Sequence, residues 1–251
     1  MSKYRLLALD LDGTTLLDNK KISEATKLWI KRAMQKGIIV TFATGRGHQN
    51  IENFRLELGL TTPLVLLNGA EIWQSPGLLM ERHIMDRKSI ELLHQIAYET
   101  NSWFWGYNIE SLIRKSDWTE EMFEKKWIKF GIRNDSIAVI SDIKGIIEKW
   151  EKIEVTQSSP SNVEITFEGM TKAYGVRQIC DFLGIDMDQV IAIGDSYNDL
   201  KLIEAVGLGV AMGNAEVELK GRANCMTDTN EQDGVAKAIC RYIFEEEYRE
   251  R

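Results

Sequence analysis

Histidine and cysteine are scarce in this chain of 251 residues, with three of each. His48, His83 and His94 are scattered, and no serine occupies a Gly-x-Ser-x-Gly turn, which disfavours a histidine-based catalytic triad. Cys180, Cys225 and Cys240 have neither metal-ligand spacing nor an even count for pairing, so a reduced, cytoplasmic setting is expected. No apolar run approaches the roughly 18 residues that cross a bilayer, so no membrane partner is expected. Tyr4 already enters an expected strand, which leaves no room for a cleavable signal sequence. Positive charge is also in deficit: the formal net charge is −7 and there is no basic block, which argues against binding a nucleic-acid backbone. An acidic protein that handles anionic phosphates needs a local cation to offset its own field.

What the chain does have is a recurring strand-then-turn pattern. The apolar run Leu6, Leu7, Ala8, Leu9 passes directly into Asp10, Leu11, Asp12, Gly13, Thr14, Thr15. A run of this kind reads as a strand buried on both faces, and in open α/β sheets the ligand crevice lies beyond the carboxyl ends of such strands. The bland alternative is an Asp-Gly hairpin, but the following Leu16 to Lys21 stretch pairs poorly with a fully apolar strand. Ser23 is placed to cap a helix ending near Gly37. The next strand, residues 38–43, delivers Thr44, Gly45 and Arg46 to a turn, and a helix through about Leu58 follows. A third run, residues 64–67, ends in Asn68, Gly69, Ala70. Strand, small polar residues, then helix or reversal is the grammar of a doubly wound, mainly parallel sheet. It returns with a helix over 172–183 and a strand over 190–193 that ends in Gly194, Asp195, Ser196, Tyr197, Asn198, Asp199.

Between these halves the character changes. Residues 84–166 carry amphipathic helices expected at 86–100, 118–130 and 142–150, separated by short alternating strands, and contain five of the seven tryptophans. The fold class expected is therefore α/β, with a core of residues 1–83 and 167–251 and an inserted, smaller α+β unit at 84–166. Trp103, Trp105 and Tyr107 fall on one face of a strand, with Phe104 and Gly106 on the other. That aromatic face is expected to pack under the insert's own helices, ahead of a substrate-facing role.

Four strand ends supply one chemical set: Asp10 and Asp12; Thr44 with Gly45; Asn68; and Asp195 with Asn198 and Asp199. Lys172 joins them from a helix start, where a cation faces the unfavourable end of the helix dipole unless an anion is near. Taken singly these are a helix cap, a turn and a surface lysine. Together, carboxylates from two strand ends repel unless a divalent cation lies among them, and an all-oxygen set suits Mg²⁺. A hydroxyl, backbone amides and a lysine then cradle phosphoryl oxygens, leaving one carboxylate to attack phosphorus.

These motifs resemble those of the haloacid dehalogenase superfamily, specifically its Cof-type phosphatases with a C2-type cap. Asp10-Leu11-Asp12-Gly13-Thr14-Thr15 resembles the first motif, Ala43-Thr44-Gly45-Arg46 the second, Lys172 the lysine of the third, and Gly194-Asp195-Ser196-Tyr197-Asn198-Asp199 the fourth. Asn68-Gly69-Ala70, Val163-Glu164-Ile165 and Val210-Ala211-Met212-Gly213-Asn214-Ala215 point to the Cof branch. The family has glycine directly after the lysine, whereas this chain has Ala173 and places Gly175 later. The resemblance implies a Mg²⁺-dependent phosphomonoester hydrolase of small molecules. Asp10 is then the nucleophile and Asp12 the acid/base. Mg²⁺ is held by Asp10, Asp195 and the backbone carbonyl of Asp12, while Thr44, Gly45, Lys172 and Asn198 bind phosphate and Asp199, Asn68 and Arg46 support them. A sugar phosphomutase of the same superfamily and a phosphate-sensing regulatory protein are the alternatives, and the sequence assigns no oligomeric state.

Overall fold

A computed structural model describes residues 3–249. Its central sheet is built from β1 (Leu6–Leu9), β2 (Ile39–Phe42), β11 (Val190–Gly194), β12 (Leu208–Ala211) and β13 (Cys225–Met226), all parallel in the order β13-β12-β11-β1-β2. β3 (Leu64–Leu66) runs beside β2 through a parallel bridge between Ala43 and Val65, then begins an antiparallel meander with β4 (Glu71–Ser75) and β5 (Leu78–Arg82). The chain leaves β1 towards β2 on one side and reaches β11 on the other. The topological switch point therefore lies between β1 and β11, where open sheets of this kind form their ligand crevice.

Leu6 to Leu9 are wholly buried because helices cover both faces. α1 (Glu24–Gln35) packs with α2 (Glu52–Leu58) and α8 (Gly234–Ile239), while α5 (Lys172–Leu183) packs with α6 (Leu200–Ala205), which in turn contacts α7 (Val217–Arg222). The caps are those expected: the Ser23 side chain accepts from Thr26 N, and Gly184 closes α5 in the left-handed conformation. Such a glycine adopts positive φ without the steric cost a Cβ would impose. Thr171 caps α5, so Ala173 starts the helix normally; Gly175 is needed for packing, because a Cβ there would overlap Val65.

The second sheet is antiparallel, with β6 (Trp103–Asn108), β7 (Leu112–Arg114), β8 (Trp127–Arg133), β9 (Ile153–Thr156) and β10 (Asn162–Phe167) in the order β7-β6-β8-β10-β9. α3 (Arg87–Glu99) and α4 (Ile137–Ile147) cover one face, burying Phe104, Phe130, Ile132, Val163 and Ile165 in a separate hydrophobic cluster. The protein is thus α/β, with a parallel core and an inserted α+β cap.

Three expectations need correcting here. No helix spans 118–130: a short 3₁₀ turn, Glu120–Glu124, precedes β8. Phe123, Trp127 and Phe130 mimic helical spacing, but Trp127 to Arg133 alternates once a bulge is allowed, since Tyr107 pairs with Lys129 and Asn108 with Trp127, leaving Ile128 without a partner. Pairing with β6 and β10 on both sides outweighs that local pattern. The helix placed at 142–150 begins earlier, at Ile137, under a Ser136 cap. The aromatic face of β6 divides differently from expectation: Phe104 faces the helices, whereas Trp105 and Tyr107 face the core, lining a cleft with Asp10 and Asp12.

Candidate active site

The strand ends converge. Asp10 follows β1 and donates its amide to Ile193 O, which sets it beside the end of β11. Lys172 Nζ reaches Asp10 Oδ1 at 2.6 Å and Asp199 Oδ1 at 2.7 Å, and is itself fully buried. The anions that the helix-dipole argument required are therefore present. Asp199 Oδ2 accepts from the amides of Asp195 and Ser196, both at 3.1 Å, so every contact of this carboxylate fixes the turn or the lysine. Asp195 Oδ1 accepts from the Thr14 hydroxyl at 2.8 Å.

Carboxylate oxygens of Asp10, Asp195 and Asp199 lie within 4.8 Å of one another. Burial, reinforced by the like charges of Asp199 and Asp195, pushes the Asp10 carboxyl up against the pull of Lys172, and burial with Asp199 raises Asp195 to about 7. Asp10 and Asp195 each keep one carboxylate oxygen without a hydrogen bond among the described residues. Two free hard oxygens, crowded by like charge, fit a divalent metal ion. The Asp12 carboxylate lies outside this trio. It takes a bidentate pair from Arg46, at 2.6 and 2.7 Å, and a third contact from Lys20 at 2.8 Å. Burial works against ionisation there, but the hydrogen bonds and charges of Arg46 and Lys20 prevail and hold it at about 2.

Thr44 is buried beside the turn, its oxygen accepting from Arg46 N, and Gly45 follows it into the cleft. Leu67, Asn68 and Gly69 all have positive φ, an uncommon succession that turns the Asn68 amide inward. Gly69 also passes so close to Thr171 O that no Cβ would fit. Asn68 Nδ2 donates to Glu164 Oε2 at 2.8 Å and to Thr156 Oγ1 at 3.0 Å, while its Oδ1 accepts from Asn198 Nδ2 at 3.3 Å. All ten residues expected at the site are thus within one connected region, although Asn68 and Asn198 also bind the cap: Asn198 N donates to Gln157 O at 3.0 Å.

Sequence reasoning missed Lys129 and gave Glu164, quoted only within Val163-Glu164-Ile165, no place in the site. Lys129 of β8 is buried and donates to Glu164 Oε2 at 2.7 Å and to Gly45 O at 2.8 Å, bridging the cap to the second motif. Burial opposes the charge on Glu164, yet Lys129, Asn68 and Ser158 hold its carboxyl below the ordinary range. A lysine and a glutamate each standing among apolar neighbours in a strand was the available signal. Their separation of 35 residues hid the pairing. A cavity of about 220 Å³ lies between cap and core, lined by Asp10, Asp12, Thr44, Gly45, Arg46 and Asn198 from one side and by Trp105, Tyr107, Lys129, Ser158 and Glu164 from the other.

Comparison with known proteins agrees with this geometry. A family model described as haloacid dehalogenase-like hydrolase matches residues 7–239. The chain is 35% identical, over 96% of its own length and 96% of the relative's, to the 5-amino-6-(5-phospho-D-ribitylamino)uracil phosphatase YcsE of Bacillus subtilis. It is 27% identical to the pyridoxal phosphate phosphatase YbhA of Escherichia coli, covering 96% of this chain and 99% of that one. Among solved structures, a haloacid dehalogenase-like hydrolase from B. subtilis superposes with a TM-score of 0.87 at 23% identity, over 94% of this chain and 98% of that one, which speaks for the fold. With a parallel sheet whose switch point gathers these carboxylates and a family match across nearly its whole length, the chain belongs to the haloacid dehalogenase-like hydrolases, in agreement with the Cof-type phosphatases that its motifs resemble.

Proposed function

We propose that this phosphatase hydrolyses small phosphomonoesters, a sugar phosphate or similar metabolite, with Mg²⁺ and through an aspartyl phosphate on Asp10. The observation that carries the reading is the cluster at the switch point: Asp10 and Asp195 offer free oxygens, while Asp199 and Lys172 hold the nucleophile in place. Asp10, Asp195 and the backbone of Asp12 would hold the ion. When bound, Mg²⁺ supplies charge neutralisation for the carboxylates and the phosphoryl oxygens.

An Asp10 carboxylate oxygen attacks phosphorus in line, and the P–O bond to the alcohol breaks. Lys172 stays beside the nucleophile as the transferring group arrives, and the Thr44 hydroxyl with the amides of its turn meets the phosphoryl oxygens. Arg46 lines the same cavity, so an arriving phosphate competes with Asp12 for the guanidinium. Losing that partner raises the proton affinity of Asp12. Asp12 then gives a proton to the departing alcohol and later takes one from the water that splits the acyl phosphate, releasing inorganic phosphate. Residues 84–166 act as a C2-type cap over a core of 1–83 and 167–251, and their cleft-facing side chains select the leaving group.

The reading is supported by the geometry above, by the 35% identity to a relative named as a phosphatase and by the order of the four motifs, the third of which departs from the family only at Ala173. Its test is turnover of a phosphomonoester panel with Mg²⁺, quenched rapidly with labelled substrate. Label on Asp10 in the wild-type enzyme, and none in Asp10→Asn, is expected. Label passing to a second hydroxyl of the substrate rather than to water would overturn hydrolysis in favour of a mutase.

A further inference from the structure

The backbone bonds of the turn Thr44-Gly45-Arg46-Gly47 are divided between core and cap. The core holds Thr44 and Arg46: Thr44 N donates to Val65 O at 3.0 Å, Thr44 O accepts from Asn68 N at 3.0 Å, and Arg46 O accepts from Leu67 N at 3.1 Å. The Gly45 carbonyl between them takes nothing from the core among the described residues. Its partner is Lys129 Nζ of the cap, at 2.8 Å, on a side chain that is only 1% exposed. Gly45 and Gly47 make room for this seating. Neither has positive φ, so backbone freedom is not what they supply. A Cβ at Gly45 would come within 3.1 Å of Lys129 Nζ and 3.2 Å of Glu164 Oε2, and one at Gly47 within 2.7 Å of the Tyr107 ring. The turn is small where β6 and β8 of the cap rest on it.

Lys129 thereby fixes a peptide plane. A trans peptide points its C=O and N–H in opposite directions, so with Gly45 O turned to the cap the Arg46 N–H points away from it, and it donates to Thr44 Oγ1 at 3.2 Å. An ammonium on the carbonyl also polarises the peptide and strengthens that donation. A hydroxyl that accepts from Arg46 N keeps its own proton for another partner, and among the described residues the Thr44 hydroxyl gives that proton to none. Thr44 lines the 220 Å³ cavity together with Asp10.

Resting on the phosphatase reading, we propose that Lys129 is a positioning residue for phosphoryl transfer: through the Gly45–Arg46 peptide it aims the Thr44 hydroxyl proton at a phosphoryl oxygen, so the phosphate-binding turn is complete only with the cap seated on it. Glu164 balances the charge of Lys129 and holds the ammonium in place. This contribution is the same for every phosphomonoester, and it is separate from any choice the cap makes among leaving groups. A hydroxyl oriented before the phosphate arrives loses little freedom on binding it.

The full chain with Mg²⁺ and p-nitrophenyl phosphate tests the relay, because this small aryl ester asks little of the cap. Lys129→Met with Glu164→Gln removes both charges together and leaves Asn68 an acceptor; should it not fold, Lys129→Gln with Glu164→Gln, whose shorter side chain at 129 falls short of Gly45 O, takes its place. The double variant should lower kcat/KM about tenfold and weaken inhibition by inorganic phosphate about tenfold, and Thr44→Val should do at least as much. A folded double variant as active as the wild type would overturn the relay and leave Lys129 a strut. The deciding measurement combines all three substitutions. If Lys129 acts through Thr44, the combined variant stays within about twofold of Thr44→Val, whereas losses that multiply to about a hundredfold would overturn it. Should the wild type leave p-nitrophenyl phosphate intact, the phosphatase reading fails, and calorimetry of inorganic phosphate decides alone. A Kd about tenfold weaker in the double variant, but unchanged when the same substitutions are added to Thr44→Val, upholds the relay; equal losses in both backgrounds, or none in either, overturn it.

Discussion

Lys172 in the core and Lys129 in the cap are both buried, yet they sit in opposite electrostatic situations. Lys172 faces three carboxylates, Asp10, Asp199 and the neighbouring Asp195, so the ionised cluster keeps surplus negative charge. Lys129 faces one, Glu164, and its other contact is the neutral Gly45 carbonyl. The core site is unfinished without a cation, whereas the cap pair is complete in itself. Burying an ion is costly unless it is paired, so the unbalanced cluster marks where a ligand belongs and the balanced one marks a strut between cap and core.

The comparison breaks most visibly at Asp10, the proposed nucleophile. Asp10→Asn should lower turnover by at least about 10⁴-fold, because removing a nucleophile disables the set that acts with it, and steady-state assay with rapid quench would register it. Asp12→Asn should cost roughly 10² to 10⁴-fold and accumulate phosphoprotein on a substrate with a good leaving group. Should Asp10→Asn retain turnover while Asp12→Asn traps no phosphate, the two roles are assigned wrongly.

Metal removal sharpens the same contrast. EDTA should abolish hydrolysis and Mg²⁺ restore it, and Mg²⁺ should raise the Tm of the wild type but much less that of Asp195→Asn. Full activity in metal-free buffer would contradict the unfinished core.

The cap pair should respond in stability. Glu164→Leu alone leaves Lys129 buried and unmatched, a cost of about 3 to 5 kcal/mol readable by denaturant titration. Replacing both, Lys129→Met with Glu164→Leu, should recover much of it. A double variant no better than the single would mean that the pair's contacts to Asn68 and Gly45, rather than its charge balance, hold cap to core.

The smallest effect is one of pH. The Glu164 carboxyl is depressed, despite its burial, by Lys129 and its hydrogen bonds. A depressed folded-state value binds fewer protons than the unfolded chain, so the stabilisation is fully present above the ordinary value of 4.5 and is lost as pH falls through the lower folded value. Glu164→Gln should flatten that acid limb of the Tm profile. An unchanged limb would mean that other carboxylates dominate it.

Much of the core was legible because its signals are local. Four apolar residues buried on both faces, then Asp10 and Asp12, specify a strand and what it delivers within a dozen positions. The caps at Ser23 and Gly184 follow from side-chain and backbone chemistry at single residues. The cap was less legible. Residues 118–130 carry apolar side chains at spacings that suit a helix or a bulged strand, and only β6 and β10, remote in sequence, decide between them.

What the sequence determined by itself was the parallel core, the convergence of Asp10, Asp195 and Lys172, and the class of chemistry, since each rests on which side chains stand at the ends of buried strands. Tertiary structure alone decided that Asp12 is held by Arg46 and Lys20, that Lys129 pairs with Glu164, and that Trp105 turns towards the cleft rather than under its own helices. Those are contacts between elements far apart in the chain. Alternation along a strand fixes which residues share a face, but which face meets the core is settled only when the two sheets are brought together.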